Sequence, residues 1–254
     1  CSRLAHVTPG IFAKTFDARS VHDCLQSAAQ AGFSCVQFNM QCVGLPSLPE
    51  AISQSVLDQI SSASESTGVE LAALSGTYNM IHPDKQQRDD GFARLATLIR
   101  AAPSMGIPMV SLCTGTRHAT DQWAHHPDNA RADAWRDLTV EMERAVAIAE
   151  ECKVDLGVEP ELANVVSSAA LGRRLIDELG SPRVKIILDP ANLVEVAPAA
   201  DARSIIAQAV DLLADRIAMA HAKDRGPDGG FVAAGSGVID FKDFVGRLRA
   251  AGFN

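Results

Sequence analysis

Short apolar runs begin near Leu4, Phe33, Val69, Ile107, Val154, Val184 and Ile217, and apolar residues at helical spacing follow each. Val21, Leu25 and Ala28, closed by Gly32, follow the first; Ile52, Val56, Ile60 and Ala63, closed by Gly68, follow the second. Phe92, Leu95, Ala96 and Ile99 follow the third, and Trp135, Leu138, Met142, Ala145 and Ala149 the fourth. Leu171, Leu175 and Ile176, closed by Gly180, follow the fifth; Ile205, Ala209 and Leu212 the sixth; Phe241, Phe244, Val245 and Leu248 the seventh. Recurrence every three or four residues places each set on one face of a helix. Asp17 and Asp201 stand where helix N-caps belong, and the closing glycines suit helix C-termini.

Runs such as VKIIL (184–188) and IPMVSL (107–112) are apolar almost throughout. Strands of that kind are buried on both faces, as in parallel sheets covered by helices. Strands alternating with helices imply right-handed crossovers. The pattern predicts an α/β fold, a (β/α)8 TIM barrel forming one domain over 1–254, in preference to a doubly wound sheet. No GxGxxG follows the first run, and no P-loop occurs. The last helical pattern ends near Ala251, and Gly252, Phe253 and Asn254 read as the turn entering an eighth strand. An open barrel exposes unpaired edges. That strand is therefore expected past Asn254, the alternative being closure by another segment or chain.

Composition narrows the function classes. With 47% hydrophobic and 21% charged residues the chain is neither disordered nor collagen-like. No apolar run reaches the ~20 residues that cross a bilayer. A net charge of −8 is a poor match to a phosphate backbone, so neither nucleic acid nor membrane is an expected partner. Cys1, Cys24, Cys35, Cys42, Cys113 and Cys152 form no CxxC pair, and most fall in apolar patterns where a free thiol acts as a small hydrophobe. With no signal-peptide pattern, a reducing cytoplasm is the expected setting. Cys1 reads as a trimmed start, with a lipid-anchor site the alternative.

In such a barrel, chemistry sits at the C-terminal ends of the strands. VDLGVEPE ends at Glu159, and VKIILDPAN ends at Asp189 with Asn192 one turn on. IAMAHAKDR ends at His221, with Lys223, Asp224 and Arg225 beyond. Successive strands thus aim Glu, Asp and His at one mouth, an oxygen and nitrogen set suited to one divalent ion: Mn, Mg, Co or Zn. Singly, each residue also reads as a helix cap or a structural histidine; their joint placement favours the ion. Glu159 and Asp189 each precede a proline, which holds them extended.

Around these residues GVEPE, LDPANL, AHAKDR and the later GSGVIDF resemble the sugar phosphate isomerase/epimerase family with the xylose isomerase-like barrel, over nearly all of the chain. ALSGTYNMIHPD (73–84) and CTGTR (113–117) look typical of one sugar-related subgroup, and tagatose/psicose 3-epimerases and inositol-catabolism proteins are relatives. The resemblance implies that Glu159, Asp189, His221 and a glutamate on the eighth strand bind one divalent metal; the fourth ligand has no counterpart up to Asn254. It implies a sugar or sugar phosphate isomerase/epimerase working through a cis-enediolate, with Glu159 as both ligand and proton shuttle. The alternative is a metal-dependent lyase or dehydratase on a keto-sugar or inositol derivative. Two further readings are an abasic-site endonuclease, which would want a histidine near Asn192, and an inactive binding barrel.

The small-molecule sugar would meet the rim. Candidate substrate contacts are His82, with Tyr78 and Asn79 beside it, Arg117, Asn192, Lys223 and Arg225; the bland alternatives are loop histidine, rim charge and helix cap. His118, His125 and His126 lie in a long loop near Trp123 and Trp135, which reads as a lid or an ordinary surface loop. The identity of the sugar, its phosphorylation, the metal, and monomer against homodimer stay open at this point.

Overall fold

The computed structural model describes residues 7–196 and 198–253. Seven parallel strands follow one another in chain order across one sheet: β1 Gly10–Phe12, β2 Cys35–Phe38, β3 Glu70–Ser75, β4 Met109–Leu112, β5 Asp155–Val158, β6 Val184–Leu188 and β7 Ile217–Ala220. The helices are α1 Val21–Gln30, α2 Gln54–Thr67, α3 Lys85–Ala101, α4 Ala132–Cys152, α5 Ala169–Leu179, α6 Ala199–Leu213 and α7 Phe241–Ala250. Parallel strands in chain order, alternating with helices, are the arrangement of a TIM barrel. Within the described residues β1 and β7 each have one neighbour in the sheet. A short hairpin, β8 Asp224–Arg225 and β9 Phe231–Val232, follows β7. Among the described residues no helix is long and apolar enough to cross a membrane.

Side chains alternate in and out along a strand. Inside the barrel that alternation builds an apolar layer of Ala73, Met109 and Ile187 with Met219 packed against it. Gly157 belongs to the same layer, since a Cβ there would press on Met109 and Ile187. Two residues further along β3 to β7, the same inward direction carries Ser75, Ser111, Glu159, Asp189 and His221. A dry floor therefore lies one layer beneath a polar mouth. The outer core between strands and helices holds Leu74, Val110, Leu112, Val158 and Leu188, with Cys24 buried among such residues as a small hydrophobe.

Four details differ from the sequence expectation. The run near Leu4 lies outside the described residues, and the first described strand starts at Gly10. Ser20, not Asp17, caps α1, its Oγ accepting the Asp23 N–H at 3.1 Å. Pro198 occupies the α6 cap, and Asp201 sits in the first turn, where its charge faces the positive end of the helix dipole. The inward face of α6 is Ala202, Ile206, Ala209, Val210 and Leu213, while Ile205 and Leu212 are 40% and 42% exposed. The stretch IIAQAVDLL has apolar residues on two adjacent faces, so periodicity alone does not choose between them.

Candidate active site

Each strand end positions its acid by local chain chemistry. Glu159 continues β5, its N–H donating to the Leu112 carbonyl at 3.2 Å. Asp189 is extended (φ −108°, ψ 110°) before Pro190, and its Oδ1 caps the turn Pro190–Asn192 by accepting the Ala191 N–H at 2.9 Å. It is thus both a cap and a strand-end acid, because its two oxygens point to different tasks. His221 follows β7 and donates its backbone N–H to Leu188 at 3.0 Å.

One ligand atom from each of Glu159, Asp189 and His221 lies within 4.8 Å of the others. His221 Nδ1 is 3.3 Å from Glu159 Oε1 and 3.6 Å from Asp189 Oδ2. Donors on one ion at ~2.1 Å stand roughly 3.0–3.4 Å apart in octahedral or tetrahedral arrangement, so this spacing suits a single ion. Asp189 Oδ2 is buried and accepts no hydrogen bond; Lys223 Nζ, 2.7 Å away, meets it as a charge contact. The Lys223 ammonium serves that oxygen in this structure, and two carboxylates and an imidazole converging at this spacing are also the donor set of a divalent ion. The residues present therefore fit a divalent ion.

The imidazole is oriented by a residue that the sequence reading overlooked. His221 Nε2 lies 3.1 Å from Gln37 Oε1, and Gln37 Nε2 donates to Ser75 Oγ at 3.1 Å and Ser111 Oγ at 3.2 Å. Gln37 thus accepts the Nε2 proton and turns Nδ1 toward the acids, as metal-ligating histidines require. The Phe12 ring covers the imidazole with centroids 5.1 Å apart. The available signal was a glutamine inside the otherwise apolar strand CVQF and serines two residues beyond Ala73 and Met109.

Asn192 and Lys223 do reach this mouth. Asn192 is fully buried and donates Nδ2 to Glu159 Oε1 at 2.6 Å. Lys223 Nζ lies 3.6 Å from Glu159 Oε1 and 3.5 Å from Asn192 Oδ1. Burial would lower the Lys223 ammonium, but Glu159 and Asp189 outweigh it and raise it. Burial would likewise lower His221, and its contacts with Asp189 and Glu159 push it up to about 9. Burial would raise Asp189, and His221 and Lys223 hold it below the usual carboxylate range. Burial, then the charge of Glu159, pushes Glu161 up, which marks a further acid beside the mouth.

His82, Arg117 and Arg225, expected as substrate contacts, make hydrogen bonds to the rim backbone and, for Arg117, also to Asp137 in α4. His82 Nδ1 accepts the Asp84 N–H at 3.0 Å, and Nε2 lies 2.8 Å from the Ala119 carbonyl. Arg117 donates to the Ile81 carbonyl at 2.9 Å and to Asp137 at 2.7 Å. Arg225 donates to the carbonyls of Ala191 at 2.6 Å and Gly229 at 2.7 Å. Rim backbone with no helix or strand partner needs such donors and acceptors.

The long loop after β4 is stitched at its base, unlike a lid free to swing. Asn79 Oδ1 accepts the Thr116 N–H at 2.9 Å, Asn129 Oδ1 the Arg117 N–H at 2.7 Å, and Asn164 Oδ1 the Gly115 N–H at 2.7 Å. Trp135 is not part of it, lying in α4 with its indole N–H on Glu178 at 2.6 Å. Gly115 has φ +79°, and a Cβ would collide with Asn79 Oδ1 and the Met80 nitrogen. Gly115→Ala is expected to cost about 2–4 kcal/mol, from the left-handed backbone and the collision together. A calorimetric melting temperature unchanged from wild type would contradict this.

The family model of the xylose isomerase-like TIM barrel matches residues 25–254. No curated protein sequence matches. Among solved structures, 3-keto-D-glucoside 4-epimerase from E. coli superposes with a TM-score of 0.74 at 16% identity, covering 96% of this chain and 88% of that one. A D-allulose 3-epimerase from Methylomonas sp. in complex with D-allulose gives 0.72 at 15%, covering 96% and 80%. The IolI protein with a binding zinc atom gives 0.72 at 16%, covering 96% and 86%. At such identity these likenesses show the fold. The match of the family model over most of the chain shows that the protein belongs to the xylose isomerase-like TIM barrel family.

Proposed function

We propose that the protein is a divalent-metal-dependent isomerase or epimerase of a small sugar, with Glu159, Asp189 and His221 as the metal ligands and Glu159 as the base. The observation that carries this reading is the division of labour within the Glu159 carboxylate. Oε1 accepts from Asn192 and faces His221 and Lys223, whereas no hydrogen bond from a described residue reaches Oε2. Oε2 is thereby left to take a proton. Structural neighbours that process ketoses or keto-glucosides support the substrate class.

The ion, when bound, supplies a Lewis acid that makes the C–H beside a carbonyl more acidic. Glu159 Oε2 removes that proton and returns it. Return to the neighbouring carbon isomerises the sugar; return from the opposite face, which needs a second proton carrier, epimerises it. Lys223, 41% exposed at the mouth, donates to the substrate oxygen that gains negative charge. The apolar layer of Ala73, Met109 and Ile187 shuts water out from below.

The test is incubation with Mn²⁺ and a panel of ketoses in deuterated water. Carbon-bound deuterium in recovered sugar of unchanged composition is the expected result. Products that have lost water would favour a lyase, and absence of exchange with every ketose and ion would overturn the proposal.

A further inference from the structure

Between α3 and the loop after β4 lies a cavity of about 440 Å³ whose lining includes Tyr78, His82, Asp90, Arg94, His118 and Asp121 and none of Glu159, Asp189, His221, Asn192 or Lys223. That volume falls within the ~300–1,000 Å³ usual for small-molecule sites. We propose that it is a second binding site, for an uncharged polyhydroxylated molecule of monosaccharide size. The inference is independent of the reaction proposed above.

The floor is rigid. Tyr78 is buried, and its hydroxyl donates to Glu141 at 3.4 Å. Its ring packs closely against α3 at Gly91, where a Cβ would collide with it. His82 is fixed through both ring nitrogens. A floor already in place loses little freedom when a ligand arrives.

The walls offer unspent hydrogen-bonding capacity of both kinds. Asp90 Oδ1 accepts from Gln86 at 2.9 Å, leaving Oδ2. Asp121 Oδ1 accepts the Trp123 N–H at 2.9 Å, leaving its own Oδ2. Arg94 uses Nη2 on Glu50 at 2.9 Å, leaving Nε and Nη1 as donors. His118 Nδ1 accepts the Asp121 N–H at 3.1 Å, so Nε2 carries a proton to donate. Adjacent hydroxyls, each both donor and acceptor, match carboxylates facing a guanidinium and an imidazole N–H. Two acids against one arginine disfavour an anion, which sets a neutral polyol apart from a phosphorylated one.

Saturation-transfer NMR with methyl α-D-glucopyranoside tests this, because a locked pyranoside has no free carbonyl to isomerise. Wild type should transfer saturation to the glucoside, and glucose 6-phosphate should give a weaker signal. Asp90→Ala combined with Arg94→Ala should lower affinity at least about tenfold, through lost charged hydrogen bonds. Gly91→Ala should also lower it, by pushing the Tyr78 ring into the cavity. Glu159→Gln should leave it unchanged. No transfer in wild type, or loss of transfer in Glu159→Gln with retention in the Asp90/Arg94 variant, would overturn the second site. Neither result depends on whether ketoses exchange deuterium, so the two proposals fail separately.

Discussion

Glu159→Gln is expected to abolish solvent-deuterium exchange into a ketose and to weaken Mn²⁺ binding by at least about 100-fold. The substitution keeps the shape of the side chain and can keep the Asn192 hydrogen bond on its carbonyl oxygen. It removes two things. One is the negative charge that, with Asp189, faces His221 Nδ1. The other is the basic oxygen at Oε2. A positioned base contributes roughly 10²–10⁴-fold to a proton transfer, and losing a direct ligand should cost at least the ~10–100-fold seen when residues supporting ligands are changed. Isothermal titration with Mn²⁺ reads the second effect without any substrate. Exchange at the wild-type rate in the variant would remove Glu159 as the base, and unchanged Mn²⁺ affinity would remove it as a ligand.

The triad was legible because a parallel barrel reduces it to arithmetic. Where inward residues recur every second position, an acid or histidine two residues past an inward Gly157, Ile187 or Met219 must enter the mouth. The same arithmetic reaches Ser75 and Ser111, yet a serine is an ordinary residue and carries no chemical flag. Gln37 needed the register as well: it pairs with Ala73, one layer low, and only its long side chain lifts it to His221. His82, Arg117 and Arg225 show the opposite limit. Their place on the rim could be read from the chain, but their partners are the carbonyls of Ala119, Ile81, Ala191 and Gly229, brought close by loop folding. A polar side chain on a rim competes for two employers, substrate and bare backbone, and sequence position does not say which one has it. For α6, two apolar faces left the choice to packing against the neighbouring helices α5 and α7.

Asp224→Asn is expected to free the loop 233–239 while the barrel stays folded. Asp224 is fully buried. Its Oδ1 accepts the N–H groups of Arg225 at 2.9 Å and Ile239 at 3.1 Å, and its Oδ2 those of Gly235 and Gly237, both at 2.9 Å. Gly237 comes so close that a Cβ would strike Asp224 Oδ1 and the Arg225 carbonyl. Only a group with two acceptor oxygens satisfies that ring of donors. An asparagine must turn its NH₂ toward one pair, leaving two N–H groups, part-buried for the most part, without that acceptor at about 1–3 kcal/mol each. The sum, about 2–6 kcal/mol, exceeds what a surface loop can hold against solvent, so the loop opens locally instead of unfolding the domain. Amide exchange at Gly235, Gly237 and Ile239 should then speed up by roughly 30-fold or more, since each ~1.4 kcal/mol is a factor of ten. The amides of α3 and α4 should keep their protection. The effect reaches the mouth through neighbours in the chain: Lys223 precedes the anchor, and Arg225 follows it with its guanidinium 4.3 Å from the Phe231 ring. Loosening the anchor should slow turnover through Lys223 more than it weakens Mn²⁺, whose acidic ligands sit on β5 and β6 and do not move with the loop. If the three loop amides exchange at the wild-type rate, the Val238 N–H on the Arg225 carbonyl at 2.8 Å holds the loop without Asp224.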